Sequence, residues 1–136
     1  AMIERAAAAQ GVEGNLRFLG QVSDAELDDL FSAADVHVFP VRVLEGDPEG
    51  FGMVAIEAAS RGLPTVAYAA GGVVDAVGPG RSGLLVPPGD ARKFCEAILE
   101  ALSARAALRE SSREFARGFS WAHFGARVRA VLSQRP

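Results

Sequence analysis

The run Glu49-Gly50-Phe51-Gly52-Met53-Val54-Ala55-Ile56-Glu57 sets one carboxylate just ahead of an expected helix and a second well inside it. Glycines at 50 and 52 leave backbone N–H groups uncovered by side chains, and a helix N-terminus with free amides and a positive dipole end is a natural seat for phosphate. At about 1.5 Å of rise per residue, Gly52 to Glu57 spans roughly 7–8 Å of helix axis. Glu49 and Glu57 can therefore meet hydroxyl groups on opposite sides of a bound diphosphate. A carboxylate facing phosphate is repelled, so accepting hydroxyl protons is the sensible role for both. A sugar nucleotide has that layout.

The elements that must hold this segment follow from periodicity and punctuation. Residues 3–10 read as a short alanine-rich helix stopped by Gly11, and residues 16–19 as a strand. Ser23 and Glu26 form a capping box, and Leu27, Leu30, Phe31 and Ala34 recur at helical spacing as one buried stripe. A second strand covers 36–39 and ends at Pro40, after which a polar loop over 41–48 delivers Glu49 to the carboxyl end of the sheet, where open α/β folds bind ligands. A third strand covers 64–68, Gly71-Gly72 opens a short helical turn containing Asp75, and a fourth strand covers 83–86. Asp90 caps a helix carrying Phe94, Ile98 and Leu102; residues 104–117 are charged on most faces; Ser120 caps a last helix with Trp121, Phe124, Val128 and Val131 or Leu132 on one side. Strands alternating with helices imply a parallel, doubly wound α/β sheet.

The segment Glu49-Gly50-Phe51-Gly52 with Glu57-Ala58, followed by Gly62-Leu63-Pro64-Thr65-Val66 and Gly71-Gly72, resembles the donor-binding domain of glycosyltransferase family 4, a retaining GT-B family. Phe18-Leu19-Gly20, Ala34-Asp35-Val36, the run from Ser82 to Asp90 and Phe119-Ser120-Trp121 extend the resemblance over most of the chain. It implies a Rossmann-like parallel sheet with helices on both faces, the C-terminal half of a GT-B enzyme, with residues 1–136 as a single partial domain lacking its first strand-helix-strand unit. It also implies transfer of a sugar from a nucleoside diphosphate sugar to a hydroxyl acceptor, in cell-envelope polysaccharide or glycolipid synthesis. Glu49 then approaches the transferred sugar as the catalytic carboxylate, Glu57 holds the ribose hydroxyls, and the backbone of Gly50, Phe51, Gly52 and Met53 serves sugar and diphosphate. Gly20 and Val22 match the place where the nucleotide base packs, although a valine before a helix is also a hydrophobic staple. No cofactor is implied beyond the donor substrate.

Two departures qualify that reading. The family's Pro-Glu after the glycine pair is replaced by Val74-Asp75, and the diphosphate-binding arginine and lysine of the absent unit have no counterpart. In a 3-2-1-4-5-6 sheet the absent strands are the first two, so residues 16–19 lose their neighbour and 36–39 become an edge. This points to a homodimer or strand-swapped oligomer, a rearranged small sheet, or a companion polypeptide. Without an acceptor-binding N-terminal domain, the chain alone is expected to be inactive. The alternative is a noncatalytic nucleotide-sugar binding or interaction module acting with a separate acceptor-domain subunit. A GT-B epimerase or phosphorylase domain fits the Glu-Gly-Phe-Gly segment less well, and a receiver-like signalling domain ranks last.

Composition narrows the field further. At 136 residues and 49% hydrophobic content, one domain with a real core is expected. A net charge of −3 with Lys93 as the single lysine offers no basic field for nucleic acid. The lone Cys95 falls among Phe94, Ile98, Leu99 and Leu102, which reads as a buried structural thiol. His37 inside a strand and His123 in the last helix have no partner at metal or triad spacing, so both read as structural and no metal is expected. Arg42 reads as a surface residue and Trp121 as packing the last helix, whose apolar face is left partly exposed. No apolar run approaches the ~20 residues that span a bilayer, and the first residues lack a signal-peptide form, so a cytoplasmic location is expected. Peripheral membrane association would run through the absent domain.

Overall fold

The computed structural model describes residues 2–41 and 50–133. Helix α1, Met2–Ala9, ends where Gly11 takes φ +65°. The Gly11 N–H then donates to Ala8 O at 3.1 Å and the Val12 N–H to Ala7 O at 3.0 Å, the paired bonds of a Schellman close. A single 3-10 turn, Glu13–Asn15, follows.

Residues 16–19 are not a strand. A strand exists through its ladder, and the sheet has no member beside this segment, so Leu16, Phe18 and Leu19 remain exposed. Helix α2, Asp24–Ala33, carries the expected capping box: the Glu26 N–H donates to Ser23 Oγ at 3.4 Å and the Ser23 N–H donates to the Glu26 carboxylate at 2.8 Å. The backbone bond from Ser23 holds the Glu26 carboxyl below its ordinary range. The expected stripe is buried only in part. Leu27 and Phe31 are half-buried while Leu30 and Ala34 are exposed, because α2 covers the sparsely packed edge of the sheet.

Three parallel strands form the sheet in the order β1, His37–Phe39; β2, Thr65–Tyr68; β3, Gly83–Val86. His37 lies opposite Thr65, and Thr65 opposite Gly83. As expected, β1 is an edge. Gly83 admits no side chain, since an ideal Cβ would lie 1.8 Å from Thr65 O. Between the strands run α3, Met53–Ser60, and α4, Val73–Ala76. Successive residues of β2 face opposite ways. Val66 packs with Val86, Phe94, Ala97 and Ala101, whereas Ala67 packs with Ala55, Ile56, Ala59, Val73 and Ala76. Helices therefore cover both faces of a Rossmann-like α/β sheet.

Helix α5, Ala91–Arg117, runs unbroken for 27 residues from its cap, where Asp90 accepts the Lys93 N–H at 2.9 Å. Its buried stripe is Phe94, Ala97, Ala101, Leu108, Ser112 and Ala116, so the segment expected to be charged on most faces also hides one. Cys95 is exposed, contrary to expectation. The buried line follows Phe94 and Ala97, and Cys95 sits about 100° around the helix from Phe94. Helix α6, Trp121–Leu132, is capped by Ser120, whose Oγ accepts the His123 N–H at 3.3 Å. None of its residues is buried. Trp121 is 87% exposed and meets Phe124 edge-on at 5.9 Å, so it shields a neighbour on its own helix and does not fasten α6 to the domain.

Candidate functional site

Two glycine-bearing loops meet at the carboxyl ends of adjacent strands. The loop holding Gly50, Phe51 and Gly52 lies beyond β1, and the loop holding Gly71 and Gly72 follows β2. An ideal Cβ on Gly72 would lie 2.5 Å from Gly50 O and 3.1 Å from Phe51 Cα, so the two backbones are in direct contact. From sequence, Gly71-Gly72 was legible as the opening of a short helical turn and as a piece of the family pattern; the contact depends on residues 21 and 22 positions away.

Gly52 is the N-cap of α3, with φ +78° and ψ 43°. That left-handed conformation favours glycine. Its surroundings are apolar: an ideal Cβ there would lie 3.4 Å from Phe39 Cε1, 3.4 Å from Val73 Cγ2 and 3.6 Å from Ala76 Cβ. No side chain caps the first turn of α3, and the Ala55 N–H turns back to Gly52 O at 2.9 Å. The helix thus presents the first-turn backbone of Met53 and Val54, with its positive dipole end, at the strand ends. At the far end, Gly62 closes α3 by a second Schellman pair, from Gly62 N–H to Ala59 O at 2.9 Å and from Leu63 N–H to Ala58 O at 3.0 Å.

Glu57 is exposed one turn along α3 and lines a cleft of about 310 Å³ with Asp24, Leu27, Asp28 and Phe31 of α2 and with Ser60 and Arg61. Arg61 pairs with Asp28 across the mouth. Asp24 and Glu57, beside an Asp28 compensated by Arg61, offer acceptors for hydroxyl donors on this wall. Gly20, with φ +67°, and Val22 lead directly into Ser23 and Asp24 at the rim. The Val22 side chain turns to a separate groove with Leu19, Glu26 and Leu30. Glu49 and Arg42 lie outside the described residues.

His37 is half-buried, with Nδ1 3.1 Å from Thr65 Oγ1 and its ring stacked on Phe39 at 5.7 Å. Burial pushes its pKa down. It serves the sheet, as expected, and Asp75 is exposed in α4. Among the described residues there is no group of three or more His, Cys, Asp or Glu side chains placed to hold a metal, and no helix long and apolar enough to cross a membrane. One aromatic contact escaped sequence reasoning. Phe119, in the turn between α5 and α6, has its ring centroid 5.7 Å from that of Phe51. Its only signal in the sequence was the Phe119-Ser120-Trp121 triplet.

Known proteins share this chain's sequence and fold. The family described as Glycosyl transferases group 1 matches residues 1–119. The D-inositol 3-phosphate glycosyltransferase of Geodermatophilus obscurus is 40% identical over 119 residues, covering 88% of this chain and 25% of that protein. Among solved structures, sucrose-phosphate synthase from Thermosynechococcus elongatus superposes with a TM-score of 0.80 at 33% identity, covering 98% of this chain and 34% of that one. Anabaena HepE in complex with UDP superposes with a TM-score of 0.81 at 25% identity, covering 98% of this chain and 36% of that one. The chain thus spans about a quarter to a third of the length of these relatives.

Proposed function

The chain belongs to the glycosyl transferases group 1 family, of GT-B type, and on that basis we propose that it is the nucleotide-sugar donor-binding part of a retaining glycosyltransferase of family 4. The observation that carries this reading is the uncapped N-terminus of α3, seated at the strand ends by the contact between Gly72 and Gly50. The UDP in the complex of the structurally similar HepE supports a nucleoside diphosphate as the ligand class.

In this reading the diphosphate lies against the amides of residues 50–54, where fixed dipoles stabilise the negative charge that grows as the sugar departs. The bond from the anomeric carbon to the diphosphate breaks, and the acceptor hydroxyl oxygen bonds to that carbon on the same face while its proton passes to the departing diphosphate oxygen. Glu57 accepts hydrogen bonds from the ribose hydroxyls, one turn along α3 from the diphosphate amides, which keeps the two ends of the nucleotide in register. Glu49, immediately before Gly50, orients the sugar hydroxyls. The base lies by the backbone of Gly20 and Val22, the Val22 side chain itself facing the neighbouring groove. In this reading residues 1–136 form one part of a donor-binding domain, and turnover also needs an acceptor-binding half and diphosphate-binding cations, so residues 1–136 by themselves perform no multiple turnover. A setting in cell-envelope polysaccharide or glycolipid assembly, in the cytoplasm, belongs to the same proposal.

A second reading is favoured by the open edge at β1, with Val38 45% exposed, and by the uncovered apolar face of α6. Here the chain is a noncatalytic binding module joined to a separate acceptor-domain subunit or to a second copy of itself. Co-purification with such a subunit would favour it.

Titration calorimetry of nucleoside diphosphates and their sugars against wild type and Glu57→Ala, with the solution mass measured on the same sample, tests the donor reading. Saturable binding that weakens by about tenfold or more in the variant is expected. A folded wild-type protein that binds none of them would overturn it.

A further inference from the structure

The Phe119–Phe51 contact joins the candidate site to a part of the chain that the donor reading leaves without a role. Phe119 is the first residue beyond Gly118, the C-cap of α5, and its N–H donates to Ala116 O at 3.0 Å. Its ring leans on that of Phe115 at 5.2 Å. Phe115 is itself fixed: an ideal Cβ on Gly78 would lie 2.7 Å from its ring, and the Arg81 guanidinium sits 5.3 Å from the ring centre. Phe119 is therefore a probe mounted on Phe115 at the end of a long helix, its ring tilted against that of Phe51.

Phe51 stands between the two glycines of the loop, and its neighbours are held by other means. Gly72 backs Gly50, and Phe39, Val73 and Ala76 surround Gly52. Glycines give a loop little stiffness of their own. Among the described residues of the loop, Phe51 carries the one side chain, and Phe119 takes hold of it from outside α3, α4 and β1. Phe119 also borders an apolar groove with Phe124 and Val128 of α6.

We propose that Phe119 is a positioning residue for residues 50–54, transmitting the placement of the α5–α6 junction to the amides at the start of α3. The proposal rests on the reading of those amides as the diphosphate seat, and its test separates the two.

Amide NMR on the whole chain compares wild type with Phe119→Ala, Phe119→Leu and Phe124→Ala, the last an α6 substitution at a ring that does not touch Phe51. In Phe119→Ala the Gly50 and Gly52 amides are expected to shift, and exchange at the Ala55 amide to quicken by about tenfold, while residues 65–68 keep their protection. Phe119→Leu restores part of the protection, and Phe124→Ala leaves these signals in place. Titration with UDP and with GDP then gives an affinity about three- to tenfold lower in Phe119→Ala than in wild type. Unchanged signals in Phe119→Ala, an equal disturbance in Phe124→Ala, a loss spread evenly over β2, or equal nucleotide affinity would each overturn the positioning role. Wild-type protein that ignores both nucleotides would count against the donor reading alone, because the exchange comparison needs no ligand.

Discussion

Gly72 and Gly50 touch backbone to backbone: a Cβ placed on Gly72 would lie 2.5 Å from the Gly50 carbonyl oxygen. The loops after two neighbouring strands are thereby locked at one height above the sheet. Gly72→Ala forces them apart. The expected outcome is a destabilisation of about 1–3 kcal/mol, the usual range for overpacking, together with loss of nucleoside diphosphate binding. Denaturant unfolding and calorimetry on the same variant check both, and retention of full affinity would show that the contact does not shape the site.

Glu57 is exposed on a helix that buries Ala55, Ile56, Ala58 and Ala59. Substitution with alanine should leave stability within about 0.5 kcal/mol of wild type. Removal of a hydrogen bond to a charged group costs about 1.5–3 kcal/mol, so nucleotide affinity should fall by roughly tenfold to a hundredfold. A nucleoside diphosphate whose sugar lacks both ribose hydroxyls sharpens the test. It should bind wild type weakly and Glu57→Ala no worse, and a further loss in the variant would place the carboxylate elsewhere.

Gly83→Ala puts a methyl group where the Thr65 carbonyl oxygen stands, 1.8 Å from the new atom. No rotamer relieves a Cβ, so β2 and β3 must separate. A loss of about 4 kcal/mol or more is expected, read as absence of a cooperative thermal transition. A variant that melts like wild type would mean that the strands pair differently.

His37 gives a pH dependence with a definite sign. Burial depresses its pKa in the folded chain below the ordinary 6.5. The unfolded chain therefore binds more protons between 6.5 and the depressed value, and stability contributed by the neutral ring is full above 6.5 and lost as pH falls below it. The urea midpoint of wild type should drop from pH 7.5 to pH 5 by more than that of His37→Gln, whatever the variant's absolute stability. Equal drops would assign the effect to carboxylates.

Much of this was legible because it is local. The pairs Ser23 with Glu26, Asp90 with Lys93 and Ser120 with His123 each lie within one turn, so residue type at fixed spacing names them. Gly11 names its own turn for the same reason. The strands at 37–39, 65–68 and 83–86 announced themselves by apolar runs bounded by proline and glycine. What spacing does not contain is the partner. Residues 16–19 have a strand's composition and no ladder to join. Cys95 and Trp121 sit in apolar surroundings along the chain, but which side of α5 or α6 meets the domain is decided by the sheet. The site divides likewise: Glu57 and the glycine start of α3 were visible, while the Gly72 and Phe119 contacts close over long stretches of chain.

Helix α5 spans about 40 Å, and one continuous stripe along it meets Val66 and Val86 on one side of the sheet through Phe94 and Ala97 and the α3–α4 side through Ala116. Two half-cores that the strands would otherwise partition share a common spine. Unfolding of α5 would therefore strip both half-cores of their cover at once, so the two faces are expected to be lost together in global unfolding, while local opening at the α3 start leaves the spine in place.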